Sequence, residues 1–268
     1  MLLDYLPLAI VQAASYIRKN SGSVESYLGL YCESKDSKTK LLSNDFDDPS
    51  RKPEQLNAVT LTWAISFNEI KRQRPEAADV LSLVSLFNSK DIPKALIRTA
   101  ERGAYDLEED LGLLKAYSLI SSNAGNTHFF VHDLVQVVTR RWMEQSQESS
   151  RIVDIAVLRL YEYYSSRLES QSHKYATALP HAMALYSLIQ SCGTRKHEYV
   201  FDLFHTSSHL AVLGQLKDAG EMGERALALG QGLYEPASLE IMSLLGNAAT
   251  ISLRSGKPRR VKQSSVKS

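Results

Sequence analysis

Cysteine is scarce in this chain of 268 residues. Cys32 and Cys192 stand far apart, and neither has a second Cys or a His at metal-ligand spacing. We therefore expect no zinc site and a reducing, cytoplasmic setting. Long apolar runs are missing as well. No window reaches the roughly 18 to 20 apolar residues of a membrane-spanning helix, and the opening MLLDYLPLAIVQAASYI has Asp4 where a signal peptide has its basic leader. No membrane is expected among the partners. The loops that cradle phosphate are absent too: there is no G-x-x-x-x-G-K-[ST], no G-x-G-x-x-G, and no apolar strand ending in paired acids that would hold magnesium. Nor is there a G-x-S-x-G nucleophile turn. The chain is read as non-enzymatic, with no catalytic residues, no metal and no cofactor of its own.

An excess of one charge is also lacking, since the formal net charge is +1. The distribution is uneven. Lys257, Arg259, Arg260, Lys262 and Lys267 fall in the last twelve residues, and the other 26 basic residues face 30 acidic ones, a net of −4. A body of that sign argues against nucleic acid as a general partner. Residues 257–268 read as a basic, disordered tail.

What is present is an ordinary folded chain, 44% hydrophobic and 23% charged, long enough for two domains. Helical periodicity begins at once. Leu3, Leu6, Ile10, Ala13 and Ile17 fall on one face, with Asp4 as N-cap and Pro7 in the first turn, which predicts a helix over about 4–19. A shorter helix follows over about 24–33, then a long polar loop over 34–55. Val59, Trp63, Phe67 and Ile70 mark an amphipathic helix closed by Pro75. Three short helices are predicted over 76–87 (Ala77, Val80, Leu81 and Val84 inward), 93–102 and 107–117. SLISS and THFFV flank NAGN, whose turn chemistry reads as a β-hairpin. A helix over 132–145 closes this part. From Ile152 on the pattern is all helix, over about 152–169, 174–191, 197–213, 217–231 and 236–254, with short breaks that suit antiparallel pairs.

His132 and Asp133 stand where the run FFV opens into a helix. A neighbouring acid cannot orient an imidazole as a catalytic triad requires, so one of the pair is expected to cap the helix. The segment DLEEDLGLLKAY, Asp106 to Tyr117, is the helix that would read DNA in a winged helix, and it carries Asp106, Glu108, Glu109 and Asp110 at its start against Lys115 alone. Acids there repel phosphate. Tyr161, Tyr163 and Tyr164 read as core and rim. Gly214-Gln215 and Gly256-Lys257 stand 42 residues apart, each closing an apolar helix. The segment between and before them looks like one tetratricopeptide-type unit with Leu216, Ala219, Ala226 and Leu229 as contacts.

Three passages carry a resemblance. LDYLPLAIVQAASYI resembles the GLPLA element of NB-ARC and related STAND ATPases, with Tyr5 in place of its glycine. HFFVHDLVQ resembles their MHD element, with Val131 in place of its methionine. LTWAISFNEIKRQRPEAADVLSLVSLF looks like the matching segment of fungal NLR-like proteins, whose C-terminal halves carry kinesin-light-chain-like tetratricopeptide repeats. The resemblance implies a mostly α fold. A helical subdomain and polar loop would occupy 1–55, a winged-helix-like subdomain with a small β-hairpin 56–148, and a helical linker with antiparallel tetratricopeptide-like pairs 149–256. It also implies ADP or ATP as cofactor in a complete relative, with Pro7 near the adenine and His132 at the β-phosphate. Oligomerisation in a complete relative would follow, and protein partners on the repeat face. The P-loop core itself has no counterpart here. The expected function is therefore a non-catalytic regulatory and interaction fragment of an NLR-like signalling ATPase. Its rivals are a free-standing tetratricopeptide adaptor and a winged-helix DNA-binding regulator that uses the basic tail.

Overall fold

The structure, a computed structural model, describes residues 7–38, 53–98, 103–166, 171–188 and 196–256. The fold is mostly α, with one small antiparallel sheet. Two compact units divide the chain, residues 1–153 and 154–268.

In the first unit, α1 (Pro7–Lys19) and α2 (Val24–Lys38) pack on α3 (Pro53–Gln73). Pro7 opens α1, where its missing N–H costs nothing. Asp4, the expected cap, lies outside the described residues. The inward face of α1 differs from the apolar stripe read from sequence. Ile10 is 44% exposed, whereas Ala9, Gln12, Ala13 and Ser15 are buried. Two polar contacts turn the helix this way: the Thr62 hydroxyl donates to Gln12 Oε1 at 2.7 Å, and Ser15 Oγ meets Ser118 Oγ at 2.7 Å. The expected polar loop is shorter at both ends, because α2 runs on to Lys38 and Pro53 starts α3. Residues 39–52 of that loop lie outside the described residues.

Val59, Trp63, Phe67 and Ile70 of α3 are all buried, as their helical spacing requires. Arg74 then takes an extended backbone, and Pro75 begins α4 (Pro75–Val84). Ala77, Val80, Leu81 and Val84 point inward. Of the helix expected over 93–102, residues 93–97 form the end of a strand and one helical turn, and residues 99–102 lie outside the described residues. Ile92–Pro93 forms β1, and Lys94–Ile97 forms α5. Pro93 has φ −68° and ψ 138°, which is strand-like, and as an edge residue it needs no donor. The next amide, Lys94 N, donates to Thr127 O at 2.8 Å.

α6 (Ala104–Ala116) leads into β2 (Ile120–Ser122) and β3 (His128–Val131). The strand order is β1-β3-β2, all antiparallel, with Ile92 opposite Phe129 and Ile120 opposite Val131. Asn126 at φ 51° turns the hairpin. Phe129 and Val131 face the core. Three acids of α6 are paired within the unit: Arg74 Nε donates to Asp110 Oδ1 at 2.8 Å and also pairs with Glu109, and Lys94 pairs with Glu108. α7 (Asp133–Gln145) closes the unit over α3 and α4. Its Gln136 amide is buried and donates to the carbonyls of Val84 and Phe87 at 3.1 and 3.0 Å.

α8 (Ser149–Ser165) spans the division between the units. The second unit continues with α9 (Gln171–Leu188), α10 (Lys196–Val212), α11 (Leu216–Gln231) and α12 (Leu239–Arg254). Tyr163 and Tyr164 are core residues, and Tyr161 packs edge-on to Phe201 at 4.9 Å. α11 packs against both α10 and α12. Ala219 and Ala226 are fully buried, and two glycines complete their stripe. A Cβ at Gly230 would lie 2.5 Å from Leu244 Cδ1, and one at Gly223 would lie 2.9 Å from Ser207 Oγ. Gly230→Val is thus expected to push α11 from α12 and cost about 1–3 kcal/mol. A thermal melt followed by far-ultraviolet circular dichroism reads this, and an unchanged midpoint would refute it.

Candidate functional site

The helix that follows FFV begins at Asp133, and His132 is its N-cap. The backbone of His132 is extended (φ −67°, ψ 136°), which lets the ring fold back so that Nδ1 accepts from Leu134 N at 3.2 Å. An accepting Nδ1 leaves the proton on Nε2, so the exposed edge of the ring is a donor. Asp133 sits in the first turn, where a carboxylate suits the helix dipole. Thus the histidine, and not the aspartate, caps this helix through its side chain.

Pro7 and His132 are remote in sequence, but the fold gathers their helices. Leu8 of α1 and Leu134 of α7 both pack on a cluster formed by Ala9 and Val59. The first turns of α1 and α7 therefore lie against the same cluster. Pro7 and His132 are both exposed there. Orphan N–H groups of a helix start make such an end suitable for an anion.

Beside His132 an open cleft of about 410 Å³ runs between the end of α6 and the hairpin. Its polar lining is Lys115, Ser118, Ser121, Ser122 and His132. Lys115 Nζ donates to Asn126 Oδ1 at 3.0 Å. Ser118 reaches its position through a left-handed backbone, φ 55°. In sequence these serines read only as part of the SLISS run of the hairpin, and Lys115 as a lone base. No local signal marked them as neighbours of His132. Among the described residues, no group of three or more His, Cys, Asp or Glu is placed to hold a metal ion. Among the same residues, no helix is long and apolar enough to cross a membrane.

No protein-family model matches the chain, and no solved structure matches it. It is similar to a "Nucleotide-binding leucine-rich repeat (NLR)-like protein" of Hyaloscypha variabilis, with 30% identity over 251 residues. That alignment covers 90% of this chain and 25% of the other. The chain thus spans about a quarter of the length of the relative it matches, and across that quarter it is related to an NLR-like protein.

Proposed function

We propose that this chain is the regulatory and interaction part of an NLR-like nucleotide switch, acting in the cytoplasm without catalysis of its own. The observation that carries this reading is the packing of Leu8 of α1 and Leu134 of α7 on one cluster, Ala9 and Val59, by the helices that begin at Pro7 and Asp133. In the resemblance Pro7 and His132 contact ADP. The order α4, β1, α5, α6, β2 and β3, with β1 joining the hairpin edge, suits the winged helix that such a switch uses to hold its inactive state. The second unit would be the sensor, with tetratricopeptide-like helix pairs that bind protein. Nucleotide would enter only where a P-loop core supplies the phosphate cradle.

The test exchanges this chain for the matching quarter of the Hyaloscypha protein and measures ADP binding by that chimaera and by the chain alone. The chain alone is expected to bind no ADP at micromolar concentration. In the chimaera, His132→Ala should weaken ADP by about tenfold, the loss of one charge-assisted hydrogen bond. In the chain alone the same change removes only a cap, and should cost about 0.5–2 kcal/mol of stability. Micromolar ADP affinity of the isolated chain, or a chimaera indifferent to His132, would sink this reading. A free-standing adaptor is the second reading. The bond from Leu134 N to His132 Nδ1 favours it, because capping alone then accounts for the histidine.

A further inference from the structure

The two edges of the sheet differ. Lys94 N donates inward to Thr127 O, so the preceding position on β1, Pro93, turns its nitrogen outward, where a proline has no N–H to offer. That edge is closed. On the β2 side, Asn123 N donates to His128 O at 3.0 Å, and Val131 N donates away from β2, to Ser89 O at 2.9 Å. Bonded and unbonded pairs alternate along an antiparallel ladder. Ser121 is therefore bonded to Phe130, whereas the N–H and C=O groups of Ile120 and Ser122 point outward. Among the described residues no strand lies beside them, and β2 holds no proline. This edge is open.

The cleft of about 410 Å³ beside His132 borders the same strand, since Ile120, Ser121 and Ser122 all line it. Ser121 stands directly opposite Phe130, whose half-buried ring gives the cleft an apolar wall. Of the described residues that line it, Lys115 carries a positive charge and none carries a carboxylate. Asn126 Oδ1 accepts from Lys115 Nζ and also from Ser122 Oγ, at 2.6 Å. The cation is thus held beside a residue whose backbone is open, and an ammonium has two further donors to give. Exposed Arg18 adds a second positive group close by. It donates to Ser15 Oγ at 3.3 Å, and Ser15 meets Ser118 of the cleft.

We propose that the edge of β2 is a docking site for one extended, acidic segment of a partner protein, which adds a fourth strand to the sheet and sets a carboxylate against Lys115. Each property of the occupant answers a feature of the edge. The outward groups of Ile120 and Ser122 call for a strand, because an extended main chain offers donors and acceptors at their spacing. Phe130 calls for an apolar side chain, and a cation with no acid beside it calls for a carboxylate. A second copy fits poorly. Its own β2, Ile120-Ser121-Ser122, has no acid, and pairing edge to edge would bring the Lys115 ammonium groups of both copies to one short strand pair. The inference stands apart from the nucleotide reading, since neither Pro7 nor a phosphate contact of His132 enters it.

Random peptides of about nine residues, the length of a long strand, displayed on phage and selected on the full chain test this. The enriched peptides are expected to be rich in β-branched residues and to carry Asp or Glu. Anisotropy of the best of them, labelled and free in solution, gives its affinity. K115E should weaken it about tenfold or more, because an ion pair becomes a like-charge contact. Ser122→Pro removes one outward N–H and leaves the bonds of Ser121 to β3 in place, so it should abolish binding with little change in the thermal midpoint. Methylating alternate amides of the peptide should block binding for one alternation and spare it for the other, since only one set faces β2. No enrichment, enriched peptides without acids, or binding indifferent to either substitution overturns the proposal. So does a dimer that Ser122→Pro abolishes in sedimentation, which would assign the edge to a second copy. Displacement of the peptide by inorganic phosphate, with no effect of amide methylation, would overturn it too and leave a simple anion site. The ADP measurement reads the chimaera and His132→Ala, whereas the peptide measurement reads K115E and Ser122→Pro in this chain alone, so failure of one is separable from failure of the other.

Discussion

Phe67→Ala is expected to lower the stability of the first unit by about 3–5 kcal/mol, the cost of emptying a fully buried aromatic site. Phe67 has no exposed surface. Its ring stacks on Trp63 at 4.6 Å and meets Trp142 edge-on at 4.6 Å. Lys71 Nζ lies 4.6 Å from the centre of the Trp142 ring and closes the group from the solvent side. This stack joins α3 to α7, so its loss loosens the helix whose first turn holds His132. A domain of ordinary stability has about 5–15 kcal/mol in all, so a loss of this size brings it to the edge of unfolding. The measurement is simple because the chain has two tryptophans and both belong to the stack. Tryptophan emission during urea unfolding therefore follows the first unit alone. A midpoint within experimental error of the wild type would show that the stack is dispensable.

The second large effect is a change in the sign of a pH dependence. Burial pushes His205 down to about 4, and its Nδ1 shares a hydrogen bond of 3.0 Å with the Tyr175 hydroxyl. Its neutral form suits the fold, so its contribution is present above the ordinary histidine value of about 6.5 and is lost as pH falls toward 4. His209 is shifted down by burial in the same sense. Asp202 acts in the opposite direction. Burial holds its carboxyl well above the ordinary range; the Tyr186 hydroxyl opposes this, and Glu198 adds to it. Asp202 is completely buried, and neither oxygen has a hydrogen bond of good geometry. Its neutral form suits the fold, so its contribution is present in acid, below the unfolded carboxylate value, and is lost as pH rises.

Between pH 4 and 6.5 these slopes oppose each other, each at most about 1.4 kcal/mol per pH unit. The wild-type second unit should therefore vary little across that window. Asp202→Asn leaves the histidines unopposed. It should raise stability near pH 7 and make the unit lose about 2–3 kcal/mol on going from pH 6.5 to 4. His205→Phe should do the reverse, giving a unit that gains stability in acid. Thermal midpoints read by tyrosine emission over that range decide the matter. Parallel pH profiles for wild type and Asp202→Asn would refute the account.

The features legible in the sequence are those whose cause is local. Val59, Trp63, Phe67 and Ile70 announce a buried helix face by their spacing, and NAGN announces the hairpin by its turn chemistry. The helix expected over about 236–254 is α12, which begins after Ser238, whose hydroxyl accepts from Ile241 N at 3.3 Å. Where the cause is distant, the sequence misleads. Gln12 is buried and Ile10 exposed because Thr62 and Ser118 wait on other elements to satisfy α1. β1 is two residues long, and one of them is a proline; only the edge of β3 makes it a strand. Gly223 and Gly230 carry no signal of their own in the sequence, yet an added Cβ there would run into Ser207 of α10 and Leu244 of α12. His132 was legible as a helix start, whereas Lys115 and Ser118 join it only through a left-handed turn and a bond to Ser15.

The bond between Ser15 and Ser118 joins residues 103 apart in sequence. Its consequence is an order of assembly. α11 packs on its two neighbours along the chain, α10 before it and α12 after it, so this part of the second unit can form from local encounters, which are fast. α1 leaves the ribosome before every other helix of the fold. It can reach α3 early, but its last contacts need α6, the turn at Ser118 and the start of α7. The earliest helix of the first unit therefore completes its contacts only when the later ones are made, and until then part of its buried face is open to chaperones.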